Sequence, residues 1–253
     1  MKPKRLLLVL VIIAILFEGC CKDYPQYPGR TTAIFNPNKT YGTVTDIDGN
    51  VYKTITIGKQ TWMAENLRVT RYRNGDPIKY FPLSIAKDSI FQPSKEGLYC
   101  AYNDTNDPDS IATYGLLYNG LAVTDLRGIA PKGWHVPTGQ EWDTLITYLN
   151  YGIKDFDPYG SNGIVGGKLK EEGNIHWNIP NYANNSSGFT ALPAGCRFKS
   201  YEDKGRMSLF WTSTSYGERA LFARTISNSF ISIINQAFVI DGGELSLRCI
   251  KDN

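Results

Sequence analysis

Apolar and polar residues alternate from Val44 to Ile57, and the alternation breaks at Asp48-Gly49, a dipeptide that suits a tight turn with positive φ. A β-hairpin is therefore expected to open the folded part of the chain. Further on, Tyr114, Leu117, Tyr118 and Leu121 stand at i, i+3, i+4 and i+7, which predicts a short helix with Thr113 as its cap. A stronger helix is predicted from Thr138. There Thr138-Gly139-Gln140-Glu141 has the form of a capping box, and Trp142, Leu145, Ile146 and Leu149 form one apolar stripe. After residue 150 the chain is rich in Gly, Asn, Ser, Tyr and Pro, with no period, over a length uncommon for an idle connection. Strand-like pieces then return at Phe189 to Leu192, Phe210 to Ser213, Ala220 to Ile226, Phe230 to Ile234, Ala237 to Ile240 and Leu245 to Ile250. Strands, two helices, irregular loops and strands again make an α+β order.

The N-terminal residues change this picture. Lys2, Lys4 and Arg5 precede an apolar run from Leu6 to Phe17, followed by Glu18, Gly19 and Cys20. The run is shorter than the roughly 20 residues a membrane-spanning helix needs, and its charged flank is that of a signal peptide. Gly19-Cys20 resembles a bacterial lipobox, although Phe17 and Glu18 depart from the usual residues ahead of the Cys. Residues 1–19 are thus expected to be removed and Cys20 to carry the acyl chains that hold the protein on a membrane. Residues 20–42 mix Pro, Gly, Tyr and polar residues, as in a flexible tether. That leaves 43–253 as one domain.

Charge and composition mainly exclude. The net charge of +3 falls by two once Lys2, Lys4, Arg5 and Glu18 are gone, and the remaining Lys and Arg are scattered, so no nucleic-acid partner is expected. Cys20 and Cys21 sit at the export site, so only Cys100, Cys196 and Cys249 belong to the body. One disulfide is the most they allow, and sequence cannot choose the pair. With two histidines, His135 and His176, and wide cysteine spacing, no metal or other cofactor is expected. Asp46, Asp48 and Asn50 begin like a calcium loop, but VYKTITIG supplies no acidic residue where the bidentate Glu is needed, so turn chemistry is the better reading.

Seven strings, in order, carry a resemblance: TDIDGNVYKTITIGKQTWMAENLR (45–68), YGLLYNGLAV (114–123), APKGWHVPTGQEWDTL (130–145), GGKLKEEGNIHWN (166–178), SSGFTALPAGCRF (187–198), FWTSTSY (210–216) and LSLRCIKD (245–252). Together they resemble the Fibrobacter succinogenes major paralogous domain over 43–253. The resemblance implies a C-type-lectin-like fold akin to the formylglycine-generating enzyme, with two helices and long irregular loops over a twisted antiparallel sheet. It also implies export, often as a lipoprotein, in Bacteroidota and Fibrobacterota, here to the outer membrane or cell surface. This chain departs at Ala130, where many relatives have Cys, and at Cys196, where many have Tyr, which implies that the usual partner of Cys249 is missing. The cysteine pair with which formylglycine-generating relatives hold copper is also absent.

Fold does not settle function. Catalysis would require a nucleophile with a base, a metal cluster or paired carboxylates; neither His135 nor His176 has a nucleophile at a recognisable spacing. A non-catalytic binding role fits better. Aromatic residues make up 13% of the chain, and Trp177, Asn178, Tyr182, Trp211 and Tyr216 bring rings and an amide to or beside the irregular region, as a glycan site requires. In the expected fold 151–187 and the segment around Trp211 lie near one another. The competing reading is a structural or adhesive envelope protein that binds another protein through the apolar segment ISIINQAFVI (231–240). Ser89 and Ser110, each in an Asp-Ser-Ile string, are candidates for O-glycosylation.

Overall fold

The computed structural model describes residues 29–83, 94–152, 164–229 and 233–253. The signal peptide, Cys20, Ser89 and the first residues of the tether lie outside them.

The hairpin at Asp48-Gly49 forms as expected, from β1 (Gly42–Thr45) and β2 (Val51–Ile57). Asp46 shapes the turn. Its Oδ1 accepts from the amides of Asp48 and Asn50 at 2.9 Å, and its Oδ2 accepts from Tyr52 Oη at 2.5 Å. Asp48 accepts from the Thr70 amide and Arg71 Nε. Both carboxylates therefore serve turn chemistry and the tie to residues 70–71. Next comes β3 (Gln60–Met63), paired with β2. The C-terminal strand β14 (Ile250–Lys251) runs between β3 and β7 (Trp134–His135), giving a five-stranded sheet in the order β1-β2-β3-β14-β7.

A second sheet, of six strands, has the order β4-β5-β6-β13-β8-β9. Its strands are β4 (Lys79–Tyr80), β5 (Leu98–Cys100), β6 (Leu117–Asn119), β8 (Cys196–Arg197), β9 (Tyr201–Glu202) and β13 (Glu244–Leu245). All its pairings are antiparallel except β4 with β5. The sheet curls until its ends meet, because Arg197 on β8 donates to the Phe81 carbonyl just past β4, and Tyr201 Oη donates to Asp104 at 2.5 Å. The third sheet is β10 (Met207–Ser215), β11 (Ala220–Ser227) and β12 (Ile233–Val239), in that order.

Four short helices stand among the described residues rather than two: α1 (Pro108–Tyr114), α2 (Gly120–Thr124), α3 (Gly139–Leu149) and α4 (Val165–Leu169). The capping box of α3 is present in full, and Trp142, Leu145, Ile146 and Leu149 are buried as the stripe predicts. The helix expected over 114–121 does not form. Asp107 caps α1 instead, Gly115 ends it at φ 74°, and Leu117 and Tyr118 enter strand β6. Both are fully buried, and a short run buried on all sides carries no period that separates strand from helix. Phe189 to Leu192 is not a strand either, beyond one bridge from Ala191 to Lys170. The expected breaks also shift at the C-terminus: 233–239 is one strand, while Leu245 and Ile250 belong to different sheets.

Side chains of β3 and β10 alternate between two core clusters. Met63, Leu209 and Trp211 enter one; Trp62 and Phe210 enter the other, beside Trp142, Trp177 and Phe189. Both faces of these strands are therefore interior. Residues 244–251 join all three sheets: β13 lies in the six-stranded one, Ser246 bridges to Phe210 of β10, and β14 lies in the five-stranded one. In the middle of this segment Arg248 is 1% exposed and faces the second cluster, its guanidinium 4.5 Å from the Phe189 ring centroid and 5.4 Å from that of Phe210. Nε donates to Asn66 Oδ1 at 2.8 Å, and the two terminal nitrogens donate to the carbonyls of Phe189 and Thr190. Burial pulls its pKa down to about 9, which still leaves it charged at neutral pH.

One expectation is corrected, and one open question is answered. Residues 29–41, read as tether, are a strap packed on the body. The Arg30 amide donates to Asp109, Thr32 reaches Thr113 and His176, the Ile34 amide donates to Glu171, and Asn36 donates to the Asn185 carbonyl. Phe35 and Tyr41 pack on the second cluster. No disulfide forms among the described residues. Cys100, Cys196 and Cys249 are buried free thiols, and burial raises the pKa of the first two to about 12.

Two tests follow from this packing. Arg248→Met should lower stability by about 3–5 kcal/mol in urea denaturation, because three buried acceptors lose their donor. A loss below about 1 kcal/mol would show that the cation is dispensable. A chain starting at residue 29 should melt in one transition, whereas a start at residue 43 strips buried Glu171 of the Ile34 amide and uncovers the ground under Phe35. Its urea midpoint should correspond to a loss on the order of 3 kcal/mol; equal midpoints would return 29–41 to the status of a tether.

Candidate functional site

The residues nominated from sequence do not converge. Trp177 and Trp211 are 1% and 0% exposed, and their indole N–H groups donate to the carbonyls of Ala191 and Tyr118. They belong to different core clusters and offer no ring face to a ligand. Asn178 is exposed, but its amide donates to the Gly205 carbonyl just ahead of β10, and its own carbonyl accepts from Asn228. Tyr216, 59% exposed, lies in the β10–β11 turn at the far end of a nine-residue strand, which puts it roughly 30 Å from the Gly205 end. Tyr182 is 63% exposed and lies beside Gly167 of α4. The expected nearness of the 151–187 region to the Trp211 segment thus fails as a single binding surface. Ser110 is half-buried in the first turn of α1, where its amide donates to Asp107.

Each histidine joins a polar network. His176 Nδ1 meets Glu171 Oε2 at 2.7 Å and Nε2 meets Thr32 Oγ1 at 2.9 Å, while the Tyr114 ring packs edge-on against the imidazole. The order carboxylate, imidazole, hydroxyl is that of a nucleophile relay. Thr32, however, is bonded through both amide and hydroxyl to Thr113 Oγ1, so the network clasps the strap to α1. His135 lies between Asp252 on Nδ1 at 2.6 Å and Glu141 on Nε2 at 2.8 Å. Glu141 also closes the capping box of α3. Partial burial pulls the His135 pKa down, but hydrogen bonds and charge from Asp252 and Glu141 outweigh it, and the pKa is raised above 6.5. Neither imidazole faces a thiol, and the described residues hold no group of three or more His, Cys, Asp or Glu side chains that could bind a metal.

A cleft of about 390 Å³ opens elsewhere, between the β2–β3 turn, the C-terminal end of α3, residue 168 of α4, Ser186-Ser187 and the strap. The volume falls in the range of small-ligand sites. Tyr148 and Tyr151 flank it, 60% and 81% exposed. The Tyr148 ring lies against Gly58, where any Cβ would come within 3.0 Å of it, so one face is supported and the other is left to solvent. Tyr151 follows the cap of α3 at φ 55°, a position helices usually give to glycine. Holding a large side chain there costs about 1–2 kcal/mol. Lys168 Nζ donates to the Leu149 carbonyl at 2.6 Å and lies 3.9 Å from the Tyr151 ring centroid, fixing that ring over the helix end. Lys39 supplies a second amine, and no carboxylate lines the cleft among the described residues.

The family model described as the Fibrobacter succinogenes major domain matches residues 55–251. The chain belongs to this family. No curated protein and no solved structure matches it. The family match takes in the cleft residues of β2, α3, α4 and 186–187 and leaves out Lys39, which the strap contributes. Among the described residues no helix is long and apolar enough to cross a membrane.

Sequence reasoning missed the two cleft tyrosines, although a signal exists. Tyr148 falls off the buried stripe of α3, and Tyr151 stands directly before Gly152 where the helix ends.

The His135 network gives a pH dependence. A raised folded pKa means that its contribution is fully present below the unfolded value of 6.5 and is lost as pH rises through the folded value. The melting temperature should decline from about pH 6.5 upward, and His135→Gln should flatten that decline. Parallel curves for the two proteins would remove His135 from the account.

Proposed function

We propose that the protein is an exported, outer-membrane lipoprotein, acylated at Cys20, whose non-catalytic domain binds a glycan in the cleft between Tyr148 and Tyr151. The observation that carries the reading is the Tyr151 backbone, held in a conformation a tyrosine resists while its ring stays 81% exposed. Strain that packing does not require is a mark of function. Aromatic faces stack on sugar C–H groups, Ser186 and Ser187 add hydroxyls, and the two amines without a carboxylate favour an acidic sugar. The N-terminal sequence supports lipidation. Antiparallel sheets under the long irregular stretch 171–195 support a C-type-lectin-like fold.

A second reading, recognition of another protein by strand addition, has β12 behind it. This strand forms the edge of the three-stranded sheet, and Asn235, Gln236 and Ala237 are exposed along it.

Glycan arrays and titration with the best acidic oligosaccharide test the first reading. Tyr148→Ala and Tyr151→Ala should each weaken binding by about 1 kcal/mol, roughly five-fold in Kd, with little change in stability. Tyr151→Gly separates the two effects, since it should raise stability by about 1 kcal/mol while weakening binding. If wild type binds no glycan, or Tyr151→Gly binds as well as wild type, the cleft is not the site and β12 becomes the surface to mutate.

A further inference from the structure

The strap meets the body beside a loop whose apolar side chains are exposed among the described residues. Residues 171–182 form a loop closed on itself by Asn181, whose Nδ2 donates to the carbonyls of Glu171 at 3.1 Å and Gly173 at 2.6 Å. The loop is pinned again at His176 by Glu171, and at Asn178 by the Gly205 carbonyl. On this fixed frame Ile175 is 71% exposed, Ile179 79% and Tyr182 63%, and Ile34 of the strap, bonded to Glu171, is 40% exposed. A rigid loop that presents two isoleucines and a tyrosine to water is an interaction surface and not a fraying end.

Chain length decides what lies opposite. Thr32 touches His176, so the strap begins at this loop. Nine residue steps separate Cys20 from Gly29, a reach of no more than about 32 Å. A domain of this size is about 44 Å across. A lipid-anchored chain therefore cannot hold the domain with this face fully opposite the membrane, and the anchor enters on the side of the strap. We infer that the 171–182 loop docks on the bilayer, with Ile175, Ile179 and Tyr182 in the interfacial layer, so that the domain stands on the membrane in one orientation and is not loosely held. The inference rests on acylation of Cys20 as proposed above. Isoleucine supplies apolar area, and tyrosine suits the boundary between headgroups and acyl chains.

The test uses the full chain expressed with its leader, in a Cys21→Ser background so that a single introduced cysteine takes an environment-sensitive fluorophore. Ile179→Cys is compared with Tyr216→Cys after reconstitution into phosphatidylcholine vesicles that contain doxyl-labelled lipid. The probe at 179 should shift to shorter wavelength and be quenched, and the probe at 216 should do neither. A probe at 179 that stays water-like on vesicle-bound protein overturns the docking. So does a blue shift at 179 that appears without vesicles and grows with protein concentration, because the occupant would then be a second copy. Intact mass reports acylation separately. If the mass shows no acyl chain, the lipoprotein reading falls, and the loop is still judged by holding a Cys20→Ser, Cys21→Ser protein on nickel-chelating vesicles through an N-terminal histidine tag and reading the same two probes.

Discussion

A single cation without a counter-ion fixes the relative position of the three sheets. Arg248 lies in the segment that contributes β13 to one sheet, a bridge to β10 of another and β14 to the third. No described carboxylate pairs with it. Its charge is met by Asn66, by the carbonyls of Phe189 and Thr190, and by two ring faces. Removing a guanidinium from water is costly, so its partners must be held in place, and they come from three stretches of chain, at 66, 189–190 and 210. The amides of Met63 and Leu67 donate to the carbonyls on either side of Arg248, which locks the segment along its length. Residues 187–191 have no regular structure of their own and depend on this contact for their place.

Other interior cations work the same way. Lys170, fully buried, donates to the carbonyls of Ser227 and Asn228, and burial lowers its pKa to about 8. Arg224 donates to the Gly139 carbonyl at the start of α3, to Asp143 and to Asn235. Arg197 is bidentate with Glu244 across β8 and β13, and Arg224 pairs with Asp143 at 2.8 Å. In each case a long donor reaches backbone carbonyls in the interior, which helps irregular chain to be buried. Lys168 does the same at the edge of the cleft, where it donates to the Leu149 carbonyl in the last turn of α3.

Local chemistry was legible in the sequence wherever a few adjacent residues determine the outcome. Asp48-Gly49 makes its turn and Thr138 with Glu141 caps α3, because neither requires a distant partner. The seven family strings were legible for the same reason. Period failed where both faces of a strand are interior. In Leu245 to Ile250 alternation suggests one buried and one solvent face, yet Ser246 and Arg248 are as buried as Leu247. Tyr114 to Leu121 matched helical spacing by accident of composition, and Gly115 decided against it. The strap was illegible because its order comes from Glu171, His176 and Asn185, far along the chain. Trp177 and Trp211 proved unavailable because tryptophan is a ring the core retains readily, while Tyr148 shows in the sequence only by falling off the α3 stripe.

The three buried thiols carry a consequence for how the protein is made. Only the thiolate attacks a disulfide, and with pKa values near 12 Cys100 and Cys196 hold on the order of one thiolate in a hundred thousand at neutral pH. Cys249 is raised as well, by complete burial. Once folded, the domain is deaf to the redox state around it. Oxidants and disulfides in the surroundings therefore reach these three thiols only through unfolding, which returns them to ordinary thiol reactivity.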